Sequence, residues 1–167
     1  MRESYIMIRM TSRRAFQEMY PFTLKGAMDY ARKGLIEAWV HGFLNGPGHN
    51  KAFSDGLKLK PRYFVGPIPV ELDKLKRRCG PEPDMIYRVD REGFESIVNG
   101  MIQALRNGWD MPPLIVNYAN GYFEVNDGNH RHEALKRIGA KVFYAILWTT
   151  DPKDYQVLLR MSGQKMS

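Results

Sequence analysis

The run Asp127–Gly128–Asn129–His130–Arg131–His132 sets an acid, an amide, two imidazoles and a guanidinium side by side. Such a run offers its histidines to a metal ion, or its guanidinium and backbone donors to an anion. A metal is poorly served. His130 and His132 stand two apart, and at a helix start their side chains diverge by about 200°. The H-E-x-x-H pattern also fails, because Lys136 occupies the place of its second histidine. Covalent catalysis has little to work with. There is no G-x-S-x-G turn, and the single Cys79, although it follows Lys76, Arg77 and Arg78, reads as a small buried filler.

An anion suits the run best. Alternation through Gly121–Asp127 predicts a strand, Asp-Gly a turn, and the residues from 130 to 138 a helix that stops at Gly139. Gly128 lets the backbone turn tightly and approach a ligand. The first N–H groups of a helix have no intrahelical acceptor and carry the positive end of its dipole, which makes an anion site. Arg131 adds a planar, permanently charged fork suited to phosphate oxygens. Asn129 and His130 supply further donors, and Asp127 holds a divalent cation or orients Arg131. The competing reading is a plain capped helix in which Asn129 or Asp127 takes up the free N–H groups. That reading gives no reason for cations in the first turn, where they oppose the dipole.

The elements that must position this run can be read from periodicity and punctuation. Thr23 predicts the cap of one helix from Leu24 to Leu44, with Met28, Ala31, Leu35 and Trp39 on its apolar face and Gly46-Pro47 at its end. The residues from 45 to 56 read as a turn-rich connection. Tyr63–Leu75 is β-branched but carries Pro67 and Pro69, which suits an edge strand or an irregular lead-in. A loop with a short extended piece follows. Asp90 predicts the cap of a helix over 91–107, with Phe94, Val98, Met101 and Leu105 as its stripe. Strands over 111–118 and 121–127 flank an Ala-Asn-Gly turn, a hairpin signal of more than minimal length. The helix after Gly128 and a strand over 141–148 complete the pattern, and two short segments finish the chain. The expected fold is α+β, a small mixed sheet with flanking helices. Residues 1–62 form an N-terminal helical extension, 63–150 the sheet domain, and 151–167 a C-terminal tail.

Composition bounds the function. An apolar fraction of 44% and an aromatic fraction of 12% suffice for a core. No apolar run is long enough to span a membrane, and Tyr5–Ile8 is far too short for a secretory segment. A lone cysteine fits a reducing compartment, so the chain reads as cytoplasmic. The net charge of +7 is concentrated in residues 1–60, which hold ten of the 25 Lys/Arg but five of the 18 Asp/Glu. A basic surface favours polyanions, or simply aids solubility.

With these residues in view, the stretch from Pro112 to Leu147 resembles the core of the ParB/sulfiredoxin superfamily. It has a proline-led apolar strand, a hairpin, a D-G-x-x-R turn, a helix rich in Ala and Leu, a glycine and a returning strand. The resemblance extends over about residues 64–148. It implies that Gly128, Asn129, His130 and Arg131, with His132 beside them, hold the phosphates of a nucleotide such as ATP or ADP, with Mg²⁺ at Asp127. Sulfiredoxins carry their catalytic cysteine where Asn129 stands, so peroxiredoxin repair is not implied. ParB proteins have glutamate and arginine at positions 129 and 130 and a helix-turn-helix domain downstream, for which few residues follow here. The turn is most similar to that of free-serine-kinase-like members, D-G-H-H-R. Those use a glutamate base after the first strand, which implies Glu82, with Glu71 as the alternative. The expectation is a nucleotide-binding protein that hydrolyses a nucleotide or transfers a phosphoryl group, with Glu82 and Asp127 as catalytic residues. Its rivals are a DNA-binding protein or ParB-like nuclease that grips nucleic-acid phosphate with the same turn, and a non-catalytic scaffold.

Overall fold

The computed structural model describes residues 21–163, and what was expected of 1–20 and 164–167 lies outside the described residues. Thr23 caps α1 (Leu24–Arg32) by accepting the Gly26 N–H at 3.0 Å. The single helix expected over 24–44 is two, α1 and α2 (Ile36–Asn45). The break is at Gly34, whose φ of 72° is the left-handed conformation that ends helices. There the Leu35 N–H reaches the Tyr30 carbonyl and the Gly34 N–H that of Ala31. A seven-residue helix, α3 (Lys51–Leu57), occupies the expected connection, with Asn50 accepting the Phe53 N–H.

Five strands form one mixed sheet. They are β1 (Tyr63–Glu71), β2 (Leu75–Arg77), β5 (Leu114–Ala119), β6 (Tyr122–Asp127) and β7 (Val142–Thr149), in the order β1-β7-β5-β6-β2. Pairs β1·β7 and β5·β6 are antiparallel, while β5·β7 and β2·β6 are parallel. The proline-bearing β1 is an edge strand, as its sequence predicts. The short strands β3 (Cys79–Gly80) and β4 (Tyr87–Arg88) pair with each other nearby. The β5–β6 hairpin is tighter than expected: Ala119 pairs with Tyr122, and only Asn120 and Gly121, both at positive φ, make the turn.

The central strand β5 is covered on both faces, with Leu114, Ile115 and Val116 fully buried. On one face Ile115 and Ile146 join Trp39, Val40, Phe43 and Leu44 of α2, so the N-terminal helices share a core with the sheet. On the other, Leu114, Val116 and Leu147 pack with Leu158 and Leu159. Those leucines belong to α6 (Pro152–Met161), capped by Asp151 with proline in its first turn. The expected tail is thus, over 152–161, a helix of the core. Its apolar pair Leu158-Leu159 is too short a signal to read in isolation. On the same side α4 (Arg91–Arg106), capped by Asp90, packs against α5 (Asn129–Arg137) through Phe94, Val98 and Ala134.

Candidate functional site

The strand β6 ends at Asp127, and α5 opens two residues later. Gly128 is the N-cap, at φ 102° and ψ 25°, and contributes no side-chain cap. A Cβ there would lie 2.7 Å from Leu114 and 2.8 Å from the Arg131 guanidinium, so both the conformation and the space demand glycine. The first intrahelical bond runs from the His132 N–H to the Gly128 carbonyl at 2.8 Å. The N–H groups of Asn129, His130 and Arg131 precede it. Neither side chain that would cap them does so. Asn129 Oδ1 instead accepts from the backbone N–H groups of Arg78 (2.9 Å) and Cys79 (3.2 Å), and its Nδ2 donates to the Val125 carbonyl. Asp127 accepts from Arg131 at 3.3 Å and from Asn50 Nδ2 at 3.2 Å. The plain-cap reading is therefore not the arrangement found.

The turn faces a cavity of about 830 Å³, within the range of small-ligand sites. Asp127, Gly128, Asn129 and His130 line it. Three other expected residues do not. Arg131 lies beneath the turn and is 6% exposed, donating to Asp127 and to the Pro113 carbonyl with its guanidinium over the Phe43 ring at 5.2 Å. Its direct grip on a phosphate is thus corrected to a strut under Gly128. His132 is buried and donates from Nε2 to the Leu72 carbonyl at 2.9 Å, so it holds the helix to the sheet rather than a ligand. Glu82 is clasped by both terminal nitrogens of Arg77, off the cavity wall. Burial opposes ionisation of Glu82, but the Arg77 hydrogen bonds and charge outweigh it and hold the carboxyl below its ordinary range. That is the opposite of what a general base poised near neutral pH needs.

The cavity also contains residues that the sequence did not single out. The loop before α3 and α3 itself supply His49, Asn50, Phe53 and Leu57; the strands supply Asn117, Asn126 and Trp148. Arg78 and Arg62 add positive charge. Arg78 stacks on Tyr87 at 5.5 Å and lies 3.3 Å from Glu124 through Nε, with no partner at its terminal nitrogens among the described residues. Arg62 is fixed, donating to the carbonyls of Gly56 and Leu57 while its guanidinium covers the Trp148 ring at 5.2 Å. No local motif marks these residues, because the lining is drawn from short segments scattered between residues 48 and 148.

His130 packs on Phe94 at 4.8 Å between centroids. Burial, then the charges of Arg131 and Arg77, push its imidazole below the usual value, so it is neutral at pH 7. Cys79 lines the cavity as a thiol, pushed up by burial more than Arg77 pulls it down. Among the described residues no three His, Cys, Asp or Glu side chains gather for a metal. Both oxygens of Asp127 already face donors, one of them a guanidinium. The expected protein-held Mg²⁺ at Asp127 does not fit this arrangement.

Fold and site define, over the described residues, a small α+β protein with a mixed sheet and a basic, partly aromatic cavity at the mouth of α5. No family model matches the chain. Over 74 residues, 41% of its length, it is 31% identical to the BEACH domain-containing protein lvsE of Dictyostelium discoideum, of which it spans 3%. Similar solved structures include sulfiredoxin from Arabidopsis thaliana, at 20% identity over 59% of this chain and 98% of that one, with TM-score 0.40. A free serine kinase in complex with AMP is similar at 20% identity over 48% of this chain and 30% of that one, TM-score 0.36. The C-terminally truncated partition protein ParB from Caulobacter crescentus, complexed with CTP-γ-S, is similar at 20% identity over 62% and 56%, TM-score 0.38. Among the described residues no helix is long and apolar enough to cross a membrane.

Proposed function

We propose that the protein binds a nucleotide in this cavity, with its phosphates at the N-terminus of α5. The observation that carries the reading is the uncapped turn: Gly128 has no side chain to offer, and Asn129 and Asp127 are committed elsewhere. The free N–H groups and the helix dipole then face a cavity that also holds Arg78 and neutral His130. A phosphate beside His130 would favour its protonated form and gain a further donor. The resemblance of the turn to nucleotide-holding relatives agrees with this chemistry. Any magnesium would arrive on the nucleotide phosphates, since the described residues gather no metal site of their own. Binding, not turnover, is what the geometry supports, because the expected base Glu82 is locked to Arg77 away from the cavity.

Thermal shift with ATP, ADP, CTP and a short DNA duplex, each with and without Mg²⁺, tests the reading. A nucleotide at a hundredfold excess over its Kd should stabilise the fold by about 2.7 kcal/mol. Arg78→Ala should weaken the shift, because it removes a cavity cation without disturbing a buried pair. If no nucleotide raises the melting temperature, or only the duplex does, the proposal is wrong.

A further inference from the structure

One part of the cavity lining is built around Trp148 on β7. Its indole Nε1 donates across the sheet to Asn126 Oδ1 on β6 at 3.0 Å. Its backbone carbonyl accepts from Asn117 Nδ2 on β5 at 3.3 Å. An indole nitrogen can only donate, and a carbonyl can only accept. These two bonds therefore fix which way round each amide stands. Asn126 must turn its oxygen to the indole, which leaves its NH₂ free. Asn117 must turn its NH₂ to the carbonyl, which leaves its oxygen free. Both residues line the cavity, and neither spare atom has a partner among the described residues. The cavity thus presents one oriented acceptor and one oriented donor.

Two further observations mark this part as built for a ligand. A bulge in the β5–β6 pairing falls at Asn126: Ile115 pairs with Asp127 and Val116 with Val125, leaving Asn126 as the extra residue. Bulges re-aim side chains, and this one allows consecutive residues, Asn126 and Asp127, both to line the cavity. Around the amides stand flat apolar surfaces. Phe53 of α3 packs on the Trp148 ring, 6.0 Å between centroids at 52°, and the Arg62 guanidinium stands 5.2 Å from the centre of the same indole. An aromatic surface with an acceptor and a donor beside it suits a planar heterocycle that carries a neighbouring donor and acceptor on one edge.

We propose that this part of the lining is a base-reading subsite, in which Asn117 Oδ1 accepts from, and Asn126 Nδ2 donates to, the hydrogen-bonding edge of a nucleobase packed against the Phe53 and Trp148 pair. The inference rests on the nucleotide reading above and deepens it. It makes the base, as well as the phosphates, a determinant of affinity. Sites that hydrogen-bond a polar edge reject ligands lacking it, because their own buried groups are then left unpaired.

Calorimetric titration of ATP, CTP, GTP, UTP and inorganic tripolyphosphate into wild type, Asn126→Asp and Asn117→Ser tests the subsite. Asn126→Asp keeps the acceptor for the indole and replaces the free NH₂ by oxygen; its added charge is gauged by its effect on tripolyphosphate. At least one nucleotide should bind tenfold or more tighter than tripolyphosphate. That advantage should fall tenfold or more in Asn126→Asp, with tripolyphosphate changing less, and Asn117→Ser should reduce it in the same sense. If the four nucleotides bind alike and both variants preserve the advantage, the base-reading subsite is overturned while nucleotide binding stands. If tripolyphosphate equals the best nucleotide, the subsite is overturned and only an anion site is left. If nothing binds, the nucleotide reading itself falls, and the subsite with it.

Discussion

At the scale of single residues, the arginine that looked most like a ligand contact serves as internal support. Arg131 is enclosed by Phe43, Asp127, the Pro113 carbonyl and Gly128, so its loss leaves the Asp127 carboxylate buried without its cation. Breaking a buried pair costs about 3–5 kcal/mol. Arg131→Ala should therefore lower stability in a denaturant titration by that order. An Arg131→Ala protein that unfolds like wild type yet loses nucleotide would show that the guanidinium reaches the ligand after all. The histidines give a second expectation. Burial is the first cause holding His41, His130 and His132 below the ordinary 6.5. The unfolded chain then binds more protons than the folded one in the window below that value, so stability rises with pH there. It is fully present above about pH 6.5 and is lost progressively as pH falls towards the lowered values. His132→Gln keeps a donor for the Leu72 carbonyl but cannot titrate, and its melting temperature should fall less between pH 7 and 5. An unaltered slope would assign the effect to the other two histidines.

At the scale of elements, what was legible was what is local. Asp90 and its stripe, the strands around Asn120-Gly121, and the helix opening after Gly128 each carry their signal within a dozen residues. The break at Gly34 was not legible, because the apolar recurrence from Met28 to Trp39 runs straight across it and only the left-handed glycine interrupts the backbone. The helix α3 hid among glycine, asparagine and proline, and α6 hid because its burial depends on a sheet face formed elsewhere. The latter has a direct consequence. Leu158 is fully buried, so Leu158→Ala should destabilise by about 2–5 kcal/mol, the range for large-to-small core changes. A cost within about 0.5 kcal/mol, typical of surface positions, would mean that the segment behaves as the tail first expected. Of the candidate site, the glycine turn that opens α5 could be read from sequence. Arg78, Asn117, Asn126 and Trp148 could not, since only the sheet order β7-β5-β6 brings the last three side by side.

At the scale of the whole molecule, the N-terminal helices meet the sheet at the apolar contact of Ile115 and Ile146 with α2, at Phe64 of β1, and at the cavity itself. One wall of the cavity carries residues from 48 to 62, and the other residues from 78 to 148. The cavity exists only after both walls have docked, and this bears on rates. A transition state with the sheet assembled but α3 not yet seated has no complete site to offer. A bound nucleotide should then slow unfolding in proportion to its occupancy and leave the refolding rate nearly untouched. Stopped-flow refolding and unfolding at graded nucleotide concentrations would show this as one moving chevron limb and one fixed limb. Acceleration of refolding by the ligand would instead place the seating of α3 early. In the cell, such a ligand would act as a timer on how long the folded state lasts, with no part in how fast it is reached.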